Sequence, residues 1–426
     1  IQKKENLSLN LWKQWQNIFL KTEQNNIYKY MKVAITGMGI ISSIGTTVEE
    51  NFHSLVSLKT GLSTISNFET IHKDVIKVGE IKQTNEQLAE QLNLPSNNNF
   101  SRTALLGAIA AKQAVEDANI TDINEYKSGL ISATSVGGMD MTEKYFYEYF
   151  ENEACQKYIA SHDIGDNSQK IANCIGLKGL VTTISTACSS AANAIMLGAR
   201  LIESGELDRV VVGGTDALAK FTINGFKTLM ILSDEYNAPF DNNRKGLNLG
   251  EAAAFLVLES EKIVQKENKK VLAYVAGFGN ANDAFHQTAS SENGDGAFLA
   301  MNKAFKMAKI QPSEIDYINA HGTATPNNDL SEGRAIIRIF GDNVPDFSST
   351  KPFTGHTLAA AAGIEAVYSV LALQNNIIFP NLNFKTNMEE FNLTPQLSLK
   401  EKEINHVLSN SFGFGGNCST LIFSKN

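Results

Sequence analysis

A cysteine, two histidines and a lysine in this sequence have neighbours that suit acyl-transfer chemistry. Cys188 lies in the stretch STACSS, His321 in AHGTATP, and Lys351 and His356 in KPFTGHTLAAAAG. A cysteine attacks a carbonyl as its thiolate, and a histidine can polarise a carbonyl beside it. The combination predicts a cysteine nucleophile assisted by two histidines. Papain-type hydrolysis also uses cysteine and histidine, but it needs only one histidine and different residues around the cysteine.

The nucleophile candidate is expected at a turn between a strand and a helix. Residues 181–184 are apolar and β-branched, which predicts a buried strand, and apolar residues at three- and four-residue steps predict a helix over 189–204. Ser185 or Thr186 is expected to cap that helix. Unpaired N–H groups and the helix dipole at such a turn favour a thiolate at Cys188. A buried, inert cysteine is the alternative that this stretch alone leaves open.

The two histidines are also expected at strand ends. His321 directly follows a predicted strand at 317–320, and Lys351 follows another at 347–349. His356 precedes an alanine-rich helix. Small and polar neighbours around these residues suit a cleft at the carboxyl ends of the strands.

Three acidic residues and a glycine-rich loop accompany these motifs. Glu365 lies on the alanine-rich helix, where it can form a buried pair with Lys351. Asp329 and Glu332 are expected to pair with lysine or arginine at the start of the next helix, and not to act in catalysis. The stretch NSFGFGGNCSTLIF contains a loop whose glycines allow backbone N–H groups to approach a ligand, although an ordinary turn would have the same composition.

Strands and helices alternate along the chain, which predicts an α/β fold. Strands are predicted at 33–35, 129–133, 181–184, 209–212, 253–258, 271–278, 317–320, 347–349 and 420–423, and helices at 102–118, 189–204, 297–309, 329–340 and 358–374. A strand–loop–helix unit with a chemical motif occurs once in each half, which suggests a duplication.

Composition excludes several classes of protein. The chain has 426 residues, 43% of them hydrophobic, and a net charge of -8, which argues against a general nucleic-acid binder. No apolar run reaches the length of a membrane span. The four cysteines have no CxxC spacing, so a reducing cytoplasm is expected. The stretch AITGMGIISSIG has Ser42 where a dinucleotide-binding motif has its third glycine, and we reject that interpretation.

The first 30 residues differ from the rest. They are polar, contain both tryptophans and lack the apolar core of a signal peptide. A buried-strand pattern starts at Met31, which we predict to be the functional start. Residues 1–30 are then a leader of uncertain role.

Taken together, these motifs resemble those of the β-ketoacyl-acyl carrier protein synthases of the elongating type. The resemblance runs from Met31 to the C-terminus, with the motifs in family order, and PFDNNRKGLNLGEAAAFLVLE and VAGFGNANDAFHQT support it. It implies a thiolase-like fold of two similar βαβαβ-type halves, 31–265 with the nucleophile and 266–426 with both histidines, in five αβαβα layers. It also implies a dimer and no metal or redox cofactor.

The resemblance implies a role for each catalytic residue. Cys188 would take the acyl chain from a carrier protein, and its backbone N–H and that of Phe414 would form the oxyanion hole. His321 and His356 would bind the malonyl thioester carbonyl while carbon dioxide leaves. Lys351 and Glu365 would organise the two histidines.

The same resemblance implies the substrate contacts. Thr323 and Thr325 would meet the pantetheine arm, and Val136 would extend from the partner subunit to the far end of the acyl pocket. Phe226 would gate the near side. The remaining residues expected to bind substrate are Phe412 and Gly415.

Two departures from the family leave the pathway and the partner open. Asn417 and Cys418 follow the glycine loop where the family usually has threonine and asparagine, which makes the closing hydrogen bonds of the loop uncertain. The segment that is often basic for carrier docking has only Arg102, so docking by Lys220 and Lys227 is an alternative.

Three alternatives to fatty acid elongation by a homodimer stay open. The chain could be a ketosynthase of a polyene or polyketide pathway, it could form a heterodimer with a chain-length factor, or it could be such a non-catalytic factor itself. A biosynthetic thiolase would need a second catalytic cysteine, for which Cys418 is poorly placed.

Overall fold

The computed structural model describes residues 32–425, so the predicted leader at 1–30 lies outside the described residues. Ten of the described strands form one large sheet, in the order β10-β9-β13-β14-β8-β1-β7-β6-β4-β5. The strands are β1 (Val33–Ser42), β2 (Leu62–Ser63), β3 (Val78–Gly79), β4 (Ser128–Ala133), β5 (Leu180–Ile184), β6 (Arg209–Asp216), β7 (Ala252–Ser260), β8 (Ala273–Asn282), β9 (Tyr317–Asn319), β10 (Asp346–Ser348), β11 (Ile377–Ile378), β12 (Lys400–Glu401), β13 (His406–Phe412) and β14 (Asn417–Ser424).

The sheet consists of two halves with the same strand order. In the first half β1 pairs with β7, followed by β6, β4 and β5. In the second half β8 pairs with β14, followed by β13, β9 and β10. The pairing is also the same: antiparallel for the first three strands of each half and parallel for the last two. In the described part of the chain, a short antiparallel contact between β1 and β8 joins the two halves of the sheet. The repeated strand order agrees with the duplication that the motifs suggest.

Helices cover both halves and fill the space between them. Helices α3 and α6 pack on one outer face. Helices α7 and α13 lie between the two halves. Helices α10 and α11 cover the opposite outer face. This gives the five αβαβα layers of the predicted thiolase-like fold. The described helices are α1 (Val48–Val56), α2 (Asn85–Gln91), α3 (Arg102–Asp117), α4 (Met139–Tyr145), α5 (Glu153–Ile159), α6 (Ile164–Cys174), α7 (Ser190–Glu203), α8 (Lys220–Thr228), α9 (Glu261–Glu267), α10 (Asp295–Ala308), α11 (Pro326–Phe340), α12 (Lys351–Thr354) and α13 (Ala361–Asn375).

Every strand and helix predicted from the sequence is present, but β1 is much longer than predicted and β13 was missed. The prediction that β5 is buried is wrong. Leu180 is 44% exposed, and the other four residues of β5 are half-buried, because β5 is the last strand of the sheet and pairs only with β4 on the described chain.

Helix α13 is the most apolar helix of the central layer. The expectation that no apolar run reaches the length of a membrane span is wrong. Residues Leu358–Asn375 are long and apolar enough to cross a membrane, yet 89% of that window is buried inside the protein. The side chains of α13 pack against β13 and β7 from both halves. The apolar character of α13 is therefore explained by its place in the core.

Candidate active site

The strand ends bring the predicted nucleophile and both histidines into one cluster. Cys188 lies between β5 and α7, and its Sγ is 2.9 Å from Nε2 of His356. His321 follows β9, and its ring centroid lies 5.4 Å from that of His356. All three side chains are buried. Residues that are far apart in the sequence thus form one compact site.

The backbone at the nucleophile turns sharply. Ala187 adopts a left-handed conformation with φ of 52°, which needs support from its surroundings in a residue other than glycine. The Ser190 hydroxyl provides it by donating to the Ala187 carbonyl at 2.5 Å and accepting from the Thr186 N–H at 2.8 Å. The prediction that Ser185 or Thr186 caps the helix is wrong. Helix α7 begins at Ser190 and has no side-chain cap, because the hydroxyl of its N-cap residue Ser189 bonds the Thr186 carbonyl instead.

The thiol of Cys188 is protonated in the resting site. Burial raises its pKa to about 12, although Lys351 and the backbone N–H groups of Phe414 and Cys188 act in the opposite direction. The expectation of a resting thiolate is therefore wrong, because the loss of hydration raises the pKa of the thiol more than the N–H groups and the lysine charge lower it. The same N–H groups are directed at the sulfur, where an oxyanion at Cys188 would receive two hydrogen bonds.

Both histidines are neutral. Burial lowers the pKa of His321 and of His356 well below the ordinary value, and the charge of Lys351 lowers both further. Lys351 Nζ lies 3.4 Å from Nδ1 of His321. A neutral imidazole can accept a proton at one nitrogen and donate from the other, so the Cys188–His356 contact is a nucleophile–base pair.

Lys351 is held by a buried carboxylate. Its ammonium forms an ion pair with Glu365, and both side chains are at most 2% exposed. Ser411 also donates to Glu365, at 3.3 Å. This is the buried pair that the sequence suggested, and it keeps a positive charge beside His321.

The expected pairing with lysine or arginine is confirmed for Asp329, which forms an ion pair with Arg244 at 3.9 Å, and is wrong for Glu332. Among the described residues, no lysine or arginine lies within ion-pair distance of Glu332. It accepts the backbone N–H groups of His321 at 2.9 Å and of Gly322 at 2.8 Å. Asp329 accepts backbone N–H groups too, and Arg244 lies 3.9 Å away. These carboxylates hold the turn that carries His321, because the turn's N–H groups are buried without other partners.

The glycine-rich loop lies directly against the nucleophile turn. A Cβ atom at Gly413 would stand 2.7 Å from the Thr186 carbonyl oxygen and 3.2 Å from the Cys188 nitrogen, so only glycine fits this approach. Gly415 and Gly416 adopt positive φ angles of 82° and 81°. The loop is therefore a close backbone contact and not an ordinary exposed turn.

A cavity of about 290 Å³ opens onto the cluster. Five of the six residues expected to bind substrate line it: Thr323, Thr325, Phe226, Phe412 and Gly415. Val136 does not line it. On the described chain Val136 packs in a neighbouring apolar cluster that also contains Phe226.

The sequence predicts that Cys418 is poorly placed as a second catalytic cysteine, yet it lines the cavity, and burial raises its pKa to about 12. Two other residues at this site were missed. His286 and Thr288 stand at the same cavity, in the stretch AFHQT, which the sequence offered only as family support. Arg102, considered for carrier docking, is buried and forms an ion pair with Glu251 at 2.7 Å, so it is not a docking residue.

Comparison with protein families gives two adjoining matches. Residues 31–263 match the model of the β-ketoacyl synthase N-terminal domain, and residues 272–385 match that of the β-ketoacyl synthase C-terminal domain. Together they cover most of the chain.

Relatives with assigned activities match over nearly their whole length. The 3-oxoacyl-[acyl-carrier-protein] synthase 2 of Vibrio cholerae is 32% identical over 413 residues, which cover 92% of this chain and 99% of the relative. The corresponding protein of Coxiella burnetii is 33% identical over 411 residues, covering 92% of this chain and 98% of the relative.

Solved structures give the same fold. The ishigamide ketosynthase/chain length factor superposes with a TM-score of 0.87 at 29% identity, covering 93% of this chain and 100% of the other. A ketosynthase in complex with its chain length factor from Xenorhabdus doucetiae gives a TM-score of 0.82 at 31% identity, covering 93% and 98%.

Proposed function

Because the chain belongs to the β-ketoacyl synthase family, we propose that it is a 3-oxoacyl-[acyl-carrier-protein] synthase, an acyltransferase-class condensing enzyme. It would join a cysteine-bound acyl chain to a malonyl group on a carrier protein, with loss of carbon dioxide. One observation carries the proposal: the Cys188 sulfur lies 2.9 Å from His356 Nε2 in a cavity that His321 also lines.

The first step transfers the acyl chain to the enzyme. As the Cys188 sulfur attacks the thioester carbonyl, His356 Nε2 takes the thiol proton. The backbone N–H groups of Cys188 and Phe414 stabilise the oxyanion. The bond to the carrier sulfur then breaks, and the proton leaves with the carrier thiol. Cys188 is left as a thioester, and both histidines are neutral again.

The second step forms the new carbon–carbon bond. For this step the proton of neutral His356 moves from Nδ1 to Nε2, so that His321 and His356 can both donate hydrogen bonds to the malonyl thioester carbonyl. Negative charge collects on that oxygen while carbon dioxide leaves. The resulting carbanion attacks the Cys188 thioester, and the bond to the cysteine sulfur breaks. A β-ketoacyl carrier is released, and the Cys188 thiolate takes up one proton from solvent to restore the thiol. Lys351 forms an ion pair with Glu365. Its positive charge favours the uncharged form of both histidines, which is the form that suits this donation.

The cavity accounts for the substrate contacts in this proposal. The hydroxyls of Thr323 and Thr325 lie 2.9 Å apart at the cavity, where they can bond the amide groups of the pantetheine arm. Phe226 stacks on Phe414 with ring centroids 5.9 Å apart, and therefore stands as an apolar gate beside the oxyanion loop. We assign Phe412 and Gly415 to the same pocket. Val136 remains our candidate for its far wall, reached from the partner subunit.

A specialised polyene or polyketide pathway is the second candidate. The resemblance to a ketosynthase solved in complex with its type II PKS acyl-carrier protein, with a TM-score of 0.84 at 25% identity over 92% of this chain and 99% of the other, favours it. A non-catalytic chain-length factor is disfavoured because the nucleophile and both histidines are present and in contact.

We assign carrier docking to α8 and the residues that follow it. Lys220 is exposed, and Phe221 and Met230 are 61% and 88% exposed. Phe226 and Met230 of the same segment line the cavity. Together with Lys227, the segment joins cationic and apolar groups at the mouth through which the pantetheine arm would enter. This composition suits a carrier with acidic and apolar groups on its docking helix.

We also propose a homodimer, with a heterodimer containing a chain-length factor as the alternative. The exposed edge of β5 supports self-association, since an unpaired strand edge is a template for pairing. The division at 31–265 and 266–426 is part of the proposal and is supported by the repeated strand order. Four cysteines without disulfides fit the proposed cytoplasmic location.

The direct test incubates purified protein with a panel of acyl-carrier proteins and malonyl-carrier protein and identifies products by mass. We expect β-ketoacyl products two carbons longer than the primer. The preferred primer and carrier separate fatty acid elongation from a polyene or polyketide pathway. Cys188→Ala should abolish condensation but retain malonyl decarboxylation, because the two steps use different groups. Elongation by Cys188→Ala at the wild-type rate would refute the mechanism.

A further inference from the structure

The two N–H groups directed at the Cys188 sulfur belong to separate segments of the chain. One is the backbone N–H of Cys188 on the turn before α7, and the other is that of Phe414 in the glycine loop before β14. An oxyanion hole works only if both donors are aimed at the same point before the reaction starts. Something must therefore fix the position of one loop relative to the other.

The side chain of Asn417 joins these two segments. Its Oδ1 accepts from the Ser189 hydroxyl at 2.8 Å and from the Asn193 amide at 2.9 Å, both on the nucleophile side. It also accepts from the Asn280 amide of β8 at 2.9 Å. Three donors from two other elements thus converge on one carbonyl oxygen.

Each of the two donors on the nucleophile side also bonds the nucleophile turn. The Ser189 hydroxyl lies 2.8 Å from the Thr186 carbonyl oxygen, and Asn193 Nδ2 lies 2.8 Å from Thr186 Oγ1. On the other side, the Asn417 carbonyl accepts from the Gly413 N–H at 2.8 Å, which closes the loop that carries Phe414. One residue therefore connects the turn of Cys188 to the loop of Phe414 through its side chain and its backbone.

We propose that Asn417 is a positioning residue that holds the Cys188 and Phe414 N–H groups at the spacing needed for acyl transfer. The inference rests on the proposed function and extends it to a residue outside the reacting cluster. Loss of the Asn417 carbonyl would remove the one acceptor that Ser189, Asn193 and Asn280 share, and would free the glycine loop to move away from the nucleophile turn. The histidines are not part of this network, so malonyl decarboxylation should not depend on it.

The test compares the two half-reactions in Asn417→Ala. Acylation of Cys188 by acyl-carrier protein should slow by about tenfold to a hundredfold, the scale of a misplaced catalytic group, with little change in KM. Malonyl decarboxylation is measured in the Cys188→Ala background, with and without Asn417→Ala, and should stay within about twofold. Asn387→Ala, a similar change outside the site, is the matched control and should leave both rates unchanged.

Ser189→Ala provides a second test that removes only one small hydroxyl. It should slow acylation less than Asn417→Ala, and the double variant should be no slower than Asn417→Ala alone, because both changes break the same bond. Three outcomes would overturn the proposal. Asn417→Ala could acylate Cys188 at the wild-type rate, it could lose decarboxylation as much as acylation, or the effects of the two changes could add in the double variant. A wild-type enzyme that fails to acylate Cys188 would instead refute the proposed function.

Discussion

At the scale of single residues, the site is a set of neutral groups beside one buried ion pair. The thiol of Cys188 and both imidazoles are uncharged at rest, while Lys351 and Glu365 carry opposite charges. Dehydration makes isolated charges costly here, so the acyl-transfer step must move a proton from sulfur to His356 as the bond forms. The same dehydration strengthens the hydrogen bonds that stabilise developing negative charge.

The raised pKa of Cys188 gives a direct prediction. Its thiol has a pKa of about 12, so ionisation should begin only in strongly alkaline solution. The ultraviolet absorbance of the thiolate, taken as wild type minus Cys188→Ala, should show no step between about pH 6 and about pH 9. A step in absorbance near pH 7 would mean that the N–H groups and Lys351 lower the pKa of Cys188 more than burial raises it.

The two histidines should matter chiefly for decarboxylation. His321→Ala and His356→Ala should each slow malonyl decarboxylation by roughly a hundredfold or more, the cost of losing one preorganised donor to a developing charge. The measurement is carbon dioxide release from malonyl-carrier protein. Phe305→Leu, on the buried face of α10, serves as a control for general loss of packing. Unchanged release in both histidine variants would remove them from the mechanism.

At the scale of elements, sequence patterns located the strand ends but not the bonds that fix the turns between them. The buried run before Cys188 and the apolar stripe after it predicted β5 and α7 closely. The positive φ of Ala187 and the bonding role of Ser190 depend on a tertiary arrangement that no local pattern encodes. Strand β13 was missed because its Ser409, Asn410 and Ser411 are polar yet buried.

The turn after β9 gives a prediction on stability. Burial raises the pKa of Glu332 to about 7, from an ordinary value of 4.5. The folded state therefore binds a proton that the unfolded state has released between these values, and the contribution of Glu332 to stability falls as pH rises through this range. The slope is at most about 1.4 kcal/mol per pH unit.

Glu332→Gln removes this titration and isolates its effect. The difference in Tm, wild type minus Glu332→Gln, should decline as pH rises from about 5 to about 7 and level off above that. Thermal melts of both proteins at several pH values measure it. A difference that stays constant, or that grows with pH, would show that Glu332 is ionised throughout and held by the His321 and Gly322 N–H groups.

At the scale of the whole molecule, the same strand order occurs twice and the chemistry is divided between the copies. The first half supplies Cys188, and the second supplies His321, His356 and the glycine loop. The alternation of strands and helices predicted the fold class from sequence. The sequence could not predict the exposed edge of β5, because a strand within a fold and a strand at its edge have the same apolar pattern.

That edge gives the last prediction. Leu180 begins β5 and is 44% exposed, in a strand that pairs only with β4 on the described chain. If two copies pair along this edge, a lysine at position 180 places a charge in the contact between the two copies. Leu180→Lys should therefore shift the protein from dimer to monomer in analytical ultracentrifugation. Leu397→Lys, at a residue 50% exposed in the second half, is the matched control and should leave the dimer intact. A Leu180→Lys protein that sediments like wild type would place the dimer contact elsewhere.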